Sequence, residues 1–124
     1  MEEITKEWVL NLIQTNSLTG IKAGAERTTF LEIWMVVVED RIFARSWGLA
    51  EKSWYNTFLI EAKGQLQCRE KEFDIVASIP HDMNTITSKI NAAYLEKYKD
   101  KKYALPITQQ KHIEKTMEFK LASQ

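Results

Sequence analysis

With 124 residues, 44% of them apolar and 27% charged, the chain has the make-up of one globular domain, 1–124, built on a single core, which excludes a disordered segment. Seventeen Lys and Arg balance seventeen Asp and Glu, so no global field holds a polyanion or an anionic bilayer, and neither nucleic acid nor membrane is an expected partner. No apolar run approaches the roughly 20 residues of a membrane span; Met1-Glu2-Glu3 lacks the basic start of a signal peptide, and the lone Cys68 forms no internal disulfide, so a reducing cytoplasm is the expected location.

Residues 5–16 place Trp8, Val9, Leu12 and Ile13 at helical spacing behind Thr5, a natural N-cap. Residues 17–23 read as a strand. The run 31–38 is β-branched and aromatic with almost no polar face, so one strand covered on both sides is expected there. Glu39-Asp40 is a tight connection to residues 41–47, which makes the two runs a hairpin. In the second run Ile42, Ala44 and Ser46 share one face, and Phe43, Arg45 and Trp47 the other.

A helix over 51–63 aligns Trp54, Tyr55, Phe58, Leu59 and Ala62, with Gly64 as its stop. Strands at 65–69 and 72–79 follow; Phe73, Ile75 and Ala77 point inward in the second, and Pro80 ends it. Asp82 caps a helix to about residue 100 whose buried stripe is Met83, Ile86, Ile90, Ala93, Tyr94 and Tyr98. Lysines 97, 99, 101 and 102 crowd its C-terminus as a solvated end. A short helical turn at Pro106 and Thr108 and a strand over 117–121 complete an α+β chain. Six strands with flanking helices predict an antiparallel β-barrel.

A six-stranded barrel is filled by its own side chains, so a ligand binds outside it. The doubly apolar strand needs cover, and a second copy of the chain is the simplest supplier. The cleft so formed contains groups suited to a small planar anionic ligand. Trp47, Trp54 and Tyr55 offer stacking faces, Arg27, Arg45 and Lys52 offer charge, and Thr28, Thr29 and Ser46 offer hydroxyls. For Arg45 the alternative is to lie over the aromatics with its charge in water; for Trp54 and Tyr55 it is core packing. His81 and His112, 31 residues apart, make no metal site, and Cys68 reads as a small buried hydrophobe. The sequence names no catalytic residue.

The segments Ile33-Trp34-Met35-Val36-Val37-Val38, Asp40 to Ser46, Gly48 and Ser53-Trp54-Tyr55, with Ala93 to Tyr98 as a late helix, resemble a group of small, uncharacterised bacterial proteins in the FMN-binding split-barrel superfamily. The resemblance spans roughly residues 18–121. A broader similarity to deazaflavin-dependent nitroreductases rests on the strand, Ser46, Gly48 and Trp54-Tyr55-Asn56. It implies a six-stranded split barrel and a homodimer with FMN or a related flavin at its interface, acting as an oxidoreductase. Arg27, Thr28, Arg45, Ser46, Trp47, Lys52, Trp54 and Tyr55 would then hold the cofactor. The phosphate loop of the broader group is reduced here to Gly24-Ala25-Glu26-Arg27-Thr28, and the proline before Trp54 is missing. The alternatives are a non-catalytic ligand-binding or interaction module that kept the barrel and dimer without the cofactor, and an α+β cone enclosing a hydrophobic ligand.

Overall fold

The computed structural model describes residues 5–24, 28–47, 53–99, 101–102 and 104–122. Helix α1 (Lys6–Thr15) begins as its sequence dictates, with Thr5 Oγ1 accepting from the Trp8 amide at 3.2 Å, and it buries Val9, Leu10 and Ile13. The remaining elements are β1 (Thr19–Ala23), β2 (Leu31–Ile33), β3 (Val36–Val38), β4 (Arg41–Arg45), α2 (Trp54–Ile60), β5 (Lys63–Cys68), β6 (Lys71–Ser78), α3 (Met83–Lys97), a 3-10 turn (Pro106–Thr108), α4 (Gln110–Ile113) and β7 (Thr116–Leu121). The short α4 is absent from the sequence reading.

All neighbouring strands pair antiparallel in one seven-stranded sheet, in the order β2-β1-β5-β6-β7-β4-β3. The expected count of six is corrected because the run 31–38 is not one strand. It breaks at Trp34-Met35, so that β2 pairs with β1 and β3 with β4. These two strands are the opposite edges of the sheet, yet only two residues separate them in the chain. The sheet therefore curls into a half-barrel whose edges approach each other at that seam.

A break in a ladder leaves backbone groups without strand partners, and buried groups of that kind need replacements. The end of α3 provides them. Tyr98 Oη accepts from the Met35 amide at 3.1 Å and donates to the Ser17 carbonyl at 2.7 Å, and Tyr94 Oη donates to the Trp34 carbonyl at 3.3 Å. Lys97 Nζ donates to the carbonyls of Met35 and, at 2.7 Å, Ile13. The expected solvated lysine end is thus corrected at Lys97, which is drawn in by unpaired carbonyls of α1 and the seam.

Inside the curl, Ile21, Leu66, Phe73, Ile75, Met117 and Phe119 meet α1 and α2 in one cluster. On the other side of β3 and β4, Val36, Val38 and Phe43 pack against Ile86, Ile90 and Tyr94 of α3 and Tyr98 at its C-cap. Helix α3 thus covers the outer face of β3, the cover that the sequence reading assigned to a second copy. The β3–β4 turn is the expected two-residue connection, with Glu39 and Asp40 both at positive φ, 52° and 61°.

Helix α2 is shorter than its sequence pattern, and Leu59 and Ala62 are exposed rather than core. Gly64, expected to stop that helix, lies within β5 and lets the strand approach Phe58. A Cβ there would sit 2.5 Å from the Lys22 carbonyl oxygen and 2.6 Å from the Phe58 ring. Gly64→Ala is expected to destabilise the protein by about 2 kcal/mol, read as a lower urea midpoint with an unchanged slope.

Candidate functional site

At the end of β4 the sheet opens into a cavity of about 380 Å³ beside the seam. Its walls include Trp34, Trp47 and Trp54, with Ser46, Ser53 and Glu32 as polar neighbours. Each indole is held differently. Trp54 is anchored in the core by edge contacts with Phe58 at 6.2 Å and a tilted one with Phe119 at 5.9 Å. Trp34 stacks on Tyr98 with ring centroids 4.1 Å apart and planes 7° from parallel. Trp47 is 39% exposed, and meets Trp34 and His112 edge-on, at 5.9 and 4.7 Å. Such contacts fix aromatic rings in place.

His112 belongs to this frame although nothing in its sequence context marks it. It is buried, and its Nδ1–H donates to the Ser46 carbonyl at 2.9 Å, which fixes the tautomer because a carbonyl only accepts. The Ser46 amide in turn donates to the Lys115 carbonyl at 3.2 Å, so the end of β4 is held on both sides. Ser53 caps α2, accepting from the Asn56 amide at 3.3 Å.

Of the residues assigned from sequence, Arg45, Ser46, Trp47 and Trp54 line this one cavity. Tyr55 is buried in the core beside it, with Lys115 Nζ 5.2 Å from its ring centroid, and burial raises its phenol above the ordinary range. Thr28 is exposed and does not line the cavity. Arg27 and Lys52 lie outside the described residues. Trp34 joins the site although it carried no ligand role in the sequence reading, where the broken alternation at Trp34-Met35 was the available signal. Ser53, read from sequence as the helix N-terminus whose N–H groups would meet an anion, lines the cavity as the N-cap of α2.

Arg45 is not the solvent-facing cation of the sequence reading. It is 1% exposed, and its guanidinium lies between β7, α3 and the 3-10 turn. Nε donates to Thr116 Oγ1 at 3.1 Å, one Nη to Asn91 Oδ1 and the Ile107 carbonyl, the other to the Thr87 carbonyl at 3.5 Å. No carboxylate pairs with it among the described residues, and burial lowers its pKa from the ordinary value. Its charge is dispersed over neutral acceptors and the Tyr94 ring, 5.7 Å away.

Residues 14–119 match a family described as uncharacterized protein conserved in bacteria (DUF2255). The chain belongs to that family. This DUF2255 chain is similar in structure to the conserved hypothetical protein Rv2991 from Mycobacterium tuberculosis, with a TM-score of 0.65 over 94% of this chain and 79% of that one. The two are 10% identical, so the likeness is one of fold. No curated protein matches the sequence at a significant level. Among the described residues of the DUF2255 chain no helix is long and apolar enough to cross a membrane, and no three His, Cys, Asp or Glu side chains converge as metal ligands.

Proposed function

We propose that the cavity beside the seam binds a planar heteroaromatic ligand, with the isoalloxazine of FMN or a related flavin as the leading chemistry. The split-barrel class is part of that reading. The carrying observation is that three fixed indoles and two serines converge on one cavity of about 380 Å³, the proportions of a small-molecule site with an apolar body and a few polar groups. Exposed Leu18 and Leu31 at the same cavity support closure by a second copy, hence a homodimer.

The residues fit the ring half of such a cofactor better than its phosphate. Arg45 is the only cation on the described lining, and its guanidinium is engaged elsewhere. A bound flavin would supply the electron transfer of an oxidoreductase. The protein would supply Trp47 and Trp34 to orient the ring, the core around Trp54 to exclude water, and the end of β4 held by His112.

A second reading, a ligand-binding module without a redox cofactor, is favoured by that same engagement of Arg45. Titration with FMN, FAD and a deazaflavin, followed by visible absorption and tryptophan quenching, separates the two. Under the first reading the bound flavin spectrum shifts, and Trp47→Ala weakens binding about tenfold, the scale of one aromatic contact. No saturable binding of any of the three would refute it.

A further inference from the structure

We propose, resting on the planar heteroaromatic reading above, that Glu32 sets the specificity of the indole cavity by accepting a ring N–H that lies beside a carbonyl, as in an imide or lactam. Glu32 is the central residue of β2, an edge strand of the sheet, and it lines the cavity. Its partner across the ladder is Gly20, which has no side chain to cover it. Among the described residues the carboxylate makes no hydrogen bond and no ion pair. Two cations come into question. Lys22 shares the face of β1 that carries Gly20, but its Nζ lies over the Phe30 ring, 4.4 Å from the centroid. Arg45 lines the same cavity, but its N–H groups go to Thr116, Asn91, Ile107 and Thr87. Neither donates to Glu32.

An ionised carboxylate only accepts, so it asks its ligand for a donor. Ser53, on the same lining, supplies the reverse: its Oγ accepts from the Asn56 amide at 3.3 Å, and its own proton remains to be donated. A ring edge with an N–H next to a carbonyl meets both groups at once. Isoalloxazine carries such an edge, an imide N–H flanked by two carbonyls, and the deazaflavin ring carries the same one. A phosphate brings acceptors and negative charge to Glu32, so the ring rather than the phosphate is the part that this corner takes.

Water bounds the size of the effect. In a dry site, a ligand that lacks the expected N–H is rejected by roughly ten-thousandfold. Glu32 is exposed, so solvent takes the place of a missing donor. The discrimination then falls to about tenfold, the scale of one hydrogen bond to a charged group.

The test titrates the whole chain and Glu32→Ala with FMN and with FMN methylated at its imide nitrogen, read by tryptophan quenching and the visible spectrum. Wild type should bind the methylated ring about tenfold more weakly. Glu32→Ala should bind FMN about tenfold more weakly than wild type does, and should hold the two rings within about twofold of each other. That narrowing separates a lost hydrogen bond from a steric clash of the methyl group, which would survive the substitution. Glu32 is exposed and unpaired, so the melting temperature should be kept; if it falls, Glu32→Gln takes the place of the alanine, with the ratio narrowing to about threefold, as for a neutral acceptor. Two results overturn the role of Glu32: equal binding of both rings by wild type, or the same ratio in the variant, as expected of a solvated charge that only blunts an edge strand. Both leave flavin binding itself intact, with its shifted spectrum and its loss in Trp47→Ala. Absence of saturable FMN binding also overturns it, and takes the flavin reading with it when FAD and the deazaflavin fail as well.

Discussion

Arg45→Ala is expected to lower the stability of the protein by about 3–5 kcal/mol, a large share of the roughly 5–15 kcal/mol that holds a domain together. The alanine removes the donor that satisfies Thr116, Asn91 and the Ile107 and Thr87 carbonyls at once, and leaves a void between β4 and α3. Arg45→Met keeps most of the volume and removes the charge, so its loss should be smaller, about 2 kcal/mol, from the unpaired acceptors alone. Urea unfolding of the two variants checks the pair. Equal midpoints for wild type and Arg45→Ala would show that the buried guanidinium is dispensable. The same geometry makes Arg45 a poor probe of ligand binding, because a weakened complex would report a loosened fold. Trp47, exposed and at the cavity mouth, is the cleaner probe.

The difference between Arg45 as read from sequence and as placed by the fold shows what a one-dimensional pattern carries. Its alternation with Phe43 and Trp47 was legible, and the fold keeps those side chains off the Ile42 and Ala44 face. What covers their face was not legible, since α3 arrives from residues 83–97, far along the chain. The half-barrel had the same limit. Hairpins and inward faces such as Phe73, Ile75 and Ala77 follow from local alternation, but the split of 31–38 depends on which strands flank it at either end of the sheet. Gly64 shows a third kind of miss, a glycine that matches a helix stop in sequence and meets a need for close strand approach in space. Arg45, Ser46, Trp47 and Trp54 could be assigned together because β4 and α2 are separated by one short connection. His112 and Trp34 reach the site only through tertiary packing.

Tyr98→Phe is the second change with a large expected effect, about 3 kcal/mol of destabilisation, because it strips the seam of its partner. Phenylalanine fills the same space against Trp34 but leaves the buried Met35 amide without an acceptor and the Ser17 carbonyl without its donor. Lys97, next to it, makes the seam sensitive to pH. Burial lowers the Lys97 pKa from 10.5 to about 8, so between those values the unfolded chain binds more protons than the folded one. The contribution of Lys97 to stability therefore rises with pH from about 8 to 10.5, by about 2 kcal/mol once its partial exposure is allowed for. Tyr98 works in the opposite direction. Burial pushes its phenol up to about 12 from 10.0, so its stabilising contribution is complete below pH 10 and is lost as pH climbs through 12. Tyr55, Tyr94 and Cys68, all raised by burial, oppose Lys97 on the alkaline side as well. The Lys97 effect is isolated by subtracting the unfolding free energy of Lys97→Met from that of wild type at each pH between 7 and 11. That difference should grow in favour of wild type through the window; a flat difference would mean that the Lys97 ammonium is as well solvated in the fold as in water, and that the carbonyls of Ile13 and Met35 replace its hydration in full.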